Sequence, residues 1–598
     1  MAASFSPMEG TNHWRALFGL LTPHGGRVTL MAAVVALAGL LPLAGPLLIA
    51  AFIDEAADGA TQSRLLFIAG VYVAVGVARQ LLSVLVAWTS TDLAWTVTNE
   101  LRSTLTRHVL GLDLSFHRST SPGELVSRVD GDVTALSEFI SNFLARAAAA
   151  VFTLLGLLVI VTWRSWPVGI AMALYLAAAL ATMWSLRNKA VSEAAGEQAA
   201  QGRMLGEVEE RLTGADDLRS NGGGSHAVAT FQAASAAVLR SNLATEKQGV
   251  SLWIMSNFVF VSGGIAMLAV NAALLQRGSI TLGTAYLLFQ YTQVLRSPLD
   301  RLADETERVQ RAAGGMSRTL ELLAEETAIA DRGRTHLPDG ALGVQLDEVC
   351  FEYADEDDPQ RVVDHVSLEL APGRTLGVLG RTGSGKTTLA RLLLRLVEPT
   401  AGQIRFGGVA QPDIAIAEFR ARAGVVSQDV HLFGASIRDN LTLFDGSITD
   451  GQVRAALADL DLLDWVENMP NGLDTELGPA GDGLSGGEGQ LIALTRLFLR
   501  APDFVLLDEA SSRIDPDTEA RVTHAIDRLL DGRTAVVIAH RLSTVERLDE
   551  ILVLDGGRIA EHGPTEALRS DPDSRYSQLI AVGATQSLDE ILDDGAVG

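Results

Sequence analysis

Residues 375–388 read TLGVLGRTGSGKTT: an apolar run, a glycine-rich loop and the start of a helix. The spacing Gly-x4-Gly-Lys-Thr runs from Gly380 to Thr387 through Arg381, Thr382, Gly383, Ser384, Gly385 and Lys386. Backbone N–H groups in such a loop wrap a β-phosphate at the positive end of a helix. Lys386 would reach the β- and γ-phosphates, the Thr387 hydroxyl would bind Mg²⁺, and Thr388 completes the cradle. The chain has lysine only at 189, 247 and 386, so a lysine at the one position this chemistry needs is not a product of composition.

Downstream, FVLLDEA (504–510) is a buried-strand run ending in two acids. Asp508 suits a position behind Mg²⁺, and Glu509 can polarise an attacking water; phosphoryl transfer asks for little beyond positioning and charge neutralisation. Between these motifs lies VVSQDVHLF (425–433), where Gln428 would offer an amide oxygen to Mg²⁺ or to water. After them VVIAHRLST (537–545) ends an apolar strand at His540, placed to hydrogen-bond the γ-phosphate. Alone, Gln428 or His540 would read as a polar strand end; the order and spacing give them their function. Tyr353, in VCFEY (349–353), is either a platform for adenine or a core aromatic. Finally LSGGEGQ (484–490) holds a second phosphate-shaped surface, Ser485, Gly486 and Gly487, with the acid Glu488 beside it.

The elements that position these residues fall into two halves. The first 300 residues carry long apolar runs and the rest has ordinary globular polarity; mean hydropathy is +0.23 over 598 residues. A formal charge of −25 excludes the basic footprint that nucleic acid requires. Cys350 is the only cysteine, so no internal disulfide forms. Spans are expected at about 28–53, 65–91, 139–163, 166–186, 249–276 and 278–300, preceded by an amphipathic elbow helix at about 12–22 lying in the membrane interface. Each is near or above the ~18–20 residues that cross ~30 Å of hydrocarbon. The short links contain three basic residues, Arg64, Arg164 and Arg277, and the long links 92–146 and 187–247 contain twelve. The positive-inside rule therefore puts the long links and both termini in the cytoplasm.

The expected fold class is an all-α, six-helix transmembrane domain (1–320) and an α/β P-loop NTPase domain (343–582), joined by a linker (321–342) and followed by an acidic tail (583–598). With these motifs in hand the chain resembles the ATP-binding cassette (ABC) transporters, in particular the exporter-fold half-transporter with six spans fused to one nucleotide-binding domain. The P-loop, the Gln428 loop, LSGG, LLDE, SSRID and His540 carry the resemblance; LDLSFH…GELVSRV (112–129) resembles the first intracellular loop of that group. The resemblance implies coupling helices near 113–121 and 212–222, an inner (plasma) membrane location, and two cassettes closing head to tail around two ATP molecules. It implies that Ser485, Gly486 and Gly487 face the γ-phosphate held by the partner's P-loop.

Departures from the family pattern cluster on the surface offered across that interface. Glu488 and Gly489 stand where Gln and Arg are usual, Leu491 where another Arg is, Pro479 where an acid is common, and Arg513 and Ile514 in the SSRID loop. A carboxylate at 488 would oppose the γ-phosphate. The intact Lys386, Gln428, Asp508, Glu509 and His540 beside an altered signature favour a heterodimer with a second half-transporter; drift within a homodimer is the alternative. The expected activity is ATP-driven export of an amphipathic small molecule, lipid or peptide by alternating access. An importer on the same fold, an ATP-gated regulatory protein or channel, and a tethered ATPase are rivals. Arg79, about 22 Å along its helix from Arg64, and Arg146, about 25 Å from Trp163, are snorkelling or structural charges, or else line a cavity for an anionic group.

Overall fold

The computed structural model describes residues 13–583 apart from 305, 332, 354–360, 429, 479–480, 482, 509–515 and 540–541. It divides into two compact units, Met1–Gly111 with Thr120–Glu326, and Leu112–Ser119 with Thr327–Gly598.

The described part of the first unit is helical. The helix His13–Leu21 buries Leu17 and Leu21 against the protein, and Trp14 meets Phe139 with ring centroids 5.8 Å apart. Gly25–Leu40 and Ala44–Ala57 cover the first expected span, broken by a 3₁₀ turn at Leu41–Leu43 that contains Pro42. Proline removes a backbone donor and cannot continue the helix, so the turn is where the sequence requires it. The Tyr291 hydroxyl donates to the Leu43 carbonyl at 2.7 Å, tying the helix Leu282–Val294 to the turn. Gly39 lets two helices close to contact: a Cβ there would stand 2.6 Å from the Ala149 carbonyl, and the Thr153 hydroxyl donates to Gly39 at 2.7 Å. Small residues at a crossing are the usual means of such approach in membranes.

By length and apolarity the runs Trp14–Ala57, Gln62–Gly111, Pro122–Arg164 and Asn257–Gln276 suffice to cross a bilayer; Trp166–Thr182 is a shorter apolar stretch. The helices Gln62–Gly111, Trp166–Thr213 and Gly224–Gln276 continue far beyond bilayer thickness. Short helices follow two of these, Leu114–Ser119 and Ala215–Ser220. Arg79 and Arg146 are both exposed on the single chain.

The second unit contains β1 (Val344–Glu352), β2 (Arg361–Leu370), β3 (Thr375–Gly380), β4 (Ala401–Phe406), β5 (Val409–Ala410), β6 (Ala423–Val426), β7 (Phe504–Asp508), β8 (Thr534–Ile538), β9 (Glu550–Asp555) and β10 (Arg558–Pro564). One sheet is antiparallel, in the order β2-β1-β4-β5; the other runs β10-β9-β3-β8-β7-β6, with β9, β3, β8, β7 and β6 parallel. Side chains alternate faces along a strand. Val378, Leu506, Val536 and Ile538 accordingly share a core with Val344, Val349 and Phe406 of the antiparallel sheet. Leu379, Val505, Leu507 and Val537 share another with Leu491, Leu494 and Leu497 of the helix Gly486–Arg500. Both faces of the parallel sheet are thus covered, which is why its strands are continuous apolar runs.

Candidate functional site: the nucleotide cassette

The P-loop joins the carboxyl end of β3 to the helix Lys386–Leu393. Gly385 sits at φ 101°, and a Cβ there would lie 2.5 Å from the Val362 carbonyl oxygen, so only glycine fits. Gly380 is confined as well: its Cβ would meet the Leu554 carbonyl at 2.4 Å and Ser384 Oγ at 2.5 Å. Lys386 is buried, and its ammonium donates to the Gly380 carbonyl and, at 3.0 Å, to that of Arg381. The Ser384 hydroxyl is buried with no hydrogen-bond partner among the described residues. A buried ammonium curled over its own loop and an orphaned hydroxyl beside it suit a site that phosphate oxygens complete. Arg381, Thr382, Gly383 and Thr387 are exposed on the same loop and helix start, while Thr388 is buried one residue on.

Strand order gathers the other motifs. β8, β7 and β6 lie side by side next to β3 and point the same way, so their carboxyl ends flank the P-loop. Asp508 is the last residue of β7, paired with Ile538, the last of β8. Gln428 is exposed two residues after β6. Ligands of open α/β sheets bind at this edge. Glu509 follows β7 directly and His540 follows β8 after Ala539, but both lie outside the described residues, as do Pro479, Arg513 and Ile514. Tyr353, just past β1, is half-buried; its hydroxyl shares a hydrogen bond of 3.2 Å with Thr388 Oγ1 and accepts one of 2.9 Å from Arg391. The hydroxyl end of the ring is therefore tied to the P-loop helix.

Ser485 caps the helix Gly486–Arg500 with extended backbone, φ −70° and ψ 160°. Its Oγ accepts the Glu488 amide at 3.3 Å, and the Glu488 carboxylate accepts the Ser485 amide at 2.7 Å, a reciprocal capping box. The second carboxylate oxygen accepts the Trp465 indole N–H at 3.2 Å. Glu488, the acid expected to oppose the γ-phosphate, turns back onto its own helix, where two donors and the helix dipole meet its charge. Ser485 and Gly486 remain exposed and Gly487 is buried. Leu491 is buried in the core with Leu494 and Leu497, so its apolarity serves packing.

Two residues that spacing does not reveal hold this arrangement. Trp465 is one. Arg496 is the other: it donates to the Asn440 backbone carbonyl at 2.6 Å and to the His431 carbonyl at 3.1 Å, tying the signature helix to the segment after Gln428. Burial pushes the Arg496 guanidinium below its ordinary pKa.

Comparison with known proteins agrees with this geometry. The family model "ABC transporter" matches residues 363–512, and "ABC transporter transmembrane region" matches 28–299. The ATP-dependent lipid A-core flippase of Photobacterium profundum is 32% identical over 489 residues, covering 81% of this chain and 82% of the relative. The chain belongs to the ABC transporter family. The flippase of the same name from Thiobacillus denitrificans is 30% identical over 586 residues, 95% and 98% of the two chains. A solved bacterial Atm1-family ABC exporter with ATP bound superimposes with a TM-score of 0.80 at 25% identity, covering 94% of this chain and 98% of that one. This ABC transporter therefore has the exporter fold, with transmembrane region and cassette fused in one multi-pass membrane chain. It binds ATP and couples its hydrolysis to transport; the importer alternative is not favoured.

Proposed function

We propose that this ABC transporter exports an amphipathic, lipid-like molecule bearing an acidic group, working as one half of a heterodimer in the plasma membrane with its cassette and termini cytoplasmic. The observation that carries the cargo class is a cleft of about 240 Å³ in the transmembrane unit. Tyr175, Phe260 and Phe289 give it aromatic walls, and Thr292, Gln293 and Arg296 give it polar ones. The Arg296 guanidinium stands 5.8 Å from the centre of the Phe260 ring. A cation on the rim of a cleft with aromatic walls suits an anion attached to a hydrophobic body. That two relatives are named lipid A-core flippases points in the same direction.

In the cassette, Lys386 and the amides of Gly383 to Thr387 hold the phosphates. Thr387, Gln428 and Asp508 are an all-oxygen set of the hard kind that Mg²⁺ takes. Bound there, Mg²⁺ neutralises charge on the transferred phosphoryl group. Glu509 orients and polarises the attacking water, His540 hydrogen-bonds the γ-phosphate, and Tyr353 stacks on adenine. Ser485, Gly486 and Gly487 complete the partner's site. ATP closes the two cassettes, the closure turns the transmembrane cavity outward, and hydrolysis resets it.

Support for a heterodimer lies in the contrast between Glu509, present beside Asp508, and a signature whose Ser485 amide is already engaged by Glu488. The chain is to be expressed alone and tested in proteoliposomes. Weak ATPase that rises only on co-expression with a second half-transporter, and falls in Glu509→Gln, is expected. A stable dimer of this chain alone with brisk ATPase would sink the pairing. ATP-driven movement of a labelled acidic lipid, lost in Arg296→Ala, is expected of the cargo reading, and uptake in the opposite direction overturns it.

A further inference from the structure

The Arg118 guanidinium stands over the ring of Tyr353, 5.2 Å from its centre. The two residues are 235 positions apart and come together inside the second unit, to which Leu112–Ser119 belongs. Arg118 is exposed on the short helix Leu114–Ser119, which follows directly on the helix Gln62–Gly111. Asp113, at the start of that segment, anchors it: its carboxylate accepts the Thr327 hydroxyl at 2.5 Å and the Ala328 amide.

Tyr353 is held from three further directions. Its hydroxyl is tied to Thr388 and Arg391 of the P-loop helix, and Phe351 meets its ring at 4.8 Å with planes 88° apart. Tethering at the hydroxyl fixes where the ring is but leaves rotation about its long axis open. A cation resting on one face fixes that rotation too. It also draws π density towards itself, which makes the opposite face a better surface for an electron-rich purine.

From this geometry we infer that Arg118 is a positioning residue for the nucleotide base, orienting and polarising the Tyr353 ring from one face so that adenine stacks on the other. The inference rests on the reading of Tyr353 as the adenine platform. It goes further in assigning part of base recognition to a segment continuous with a transmembrane helix rather than to the cassette's own sequence. The free energy of adenine stacking is then shared with the position of the Leu114–Ser119 helix, and movement of that helix alters affinity for ATP.

The test is binding of ATP and of inorganic tripolyphosphate, which has no base, to the full-length transporter in nanodiscs. Arg118→Ala should weaken ATP binding by about threefold to tenfold, the range of a partly exposed cation–π contact. Tripolyphosphate affinity should stay within twofold, and KM for ATP should rise more than kcat falls. Arg118→Lys should recover part of the loss, because an ammonium also polarises the ring. Once Tyr353→Ala has removed the ring, Arg118→Ala should have no further effect on ATP. Equal losses for ATP and tripolyphosphate would mean a structural contact only and overturn the inference. Tighter ATP binding in Arg118→Ala would mean that adenine takes the face Arg118 covers, and would overturn it as well. Tyr353→Ala separates the two claims: if it leaves the difference between ATP and tripolyphosphate intact, the platform reading fails. If it closes that difference while Arg118→Ala does not change it, only the role of Arg118 fails.

Discussion

The Trp465 indole N–H donates to one oxygen of the Glu488 carboxylate at 3.2 Å, while the other oxygen accepts the Ser485 amide at 2.7 Å. The acid that distinguishes this signature is therefore a structural hinge pin between the helix Leu463–Glu467 and the helix Gly486–Arg500. Glu488→Ala and Trp465→Phe should each destabilise the cassette, the former by about 1 kcal/mol as is usual for a lost cap. Glu488→Gln keeps the capping geometry and removes the charge. If the charge itself weakens the site that this signature completes, Glu488→Gln should raise turnover of the assembled transporter severalfold with little change in thermal unfolding. Unchanged turnover would show that the carboxylate is neutralised where it stands and that the altered signature is no evidence for a heterodimer.

The contrast between what was and was not legible in the sequence follows from the range of each interaction. The P-loop could be read because phosphate binding needs glycine, lysine and threonine at fixed offsets within one turn, so the constraint is local. The helical membrane region could be read because its helices carry long, predominantly apolar stretches. The Ser-x-x-Glu capping pattern at 485–488 was equally visible, yet it read as a phosphate surface with an opposing acid; the indole that completes it is 23 positions upstream. Nothing in the spacing pairs Arg118 with Tyr353, or Asp132 with Arg318 some 186 positions later, because such contacts are made by chain topology. The 3₁₀ turn at Leu41–Leu43 contains Pro42, whereas the π-helical turns Ser127–Asp132 and Phe139–Leu144 contain no proline to mark them.

Gly385→Ala should weaken nucleotide binding while leaving the transmembrane unit folded. An L-residue at φ 101° is strained, and its Cβ would collide with the Val362 carbonyl at 2.5 Å. The backbone must move at the point where the loop becomes the helix Lys386–Leu393. A left-handed residue with a side chain costs about 1–2 kcal/mol before any clash is counted. ATP affinity is expected to fall at least tenfold, read by titration with a fluorescent ATP analogue. Retention of wild-type affinity would show that the loop can re-form around a methyl group.

Asp549 locks the amino ends of two strands together. Its carboxylate accepts the Thr375 amide and hydroxyl, each at 2.9 Å, and an Arg374 N–H at 2.7 Å; its own amide donates to Thr375 Oγ1 at 2.9 Å. Burial works against ionisation, but the Thr375 and Arg374 donors outweigh it and hold the carboxyl below its ordinary value. A carboxyl depressed in the folded state adds stability that is complete above the unfolded value, near pH 4, and is lost as pH falls through the lowered folded value. Asp549→Asn should cost the cassette about 1–2 kcal/mol at neutral pH. The gap from wild type should close on acidification below about pH 4. Thermal unfolding followed from pH 7 downward checks both, and a gap that does not depend on pH would remove the carboxylate charge as its cause.

Asp132 and Arg318 hold the membrane unit's long extensions together. Arg318 Nε donates to one Asp132 oxygen at 2.9 Å and a terminal N–H donates to the other, while Asp132 is only 7% exposed. Hydrogen bonding to Asp132 raises the Arg318 pKa above its ordinary value, so the arginine stays charged at any workable pH. One turn earlier, Gly315 brings its helix so close that a Cβ would lie 3.1 Å from the Asp132 carbonyl. Arg318→Met strands a nearly buried carboxylate and should cost about 2–4 kcal/mol, somewhat under the usual figure for a buried pair because the arginine is half-exposed. Arg318→Lys should recover only part, since an ammonium cannot make the two-pronged contact. Adding Asp132→Asn to Arg318→Met removes the stranded charge, and the double variant should unfold at a higher temperature than Arg318→Met alone. Strictly additive losses in that cycle would mean that the two side chains meet without holding the segment Ser127–Asp132 and the helix Thr306–Ala324 in place.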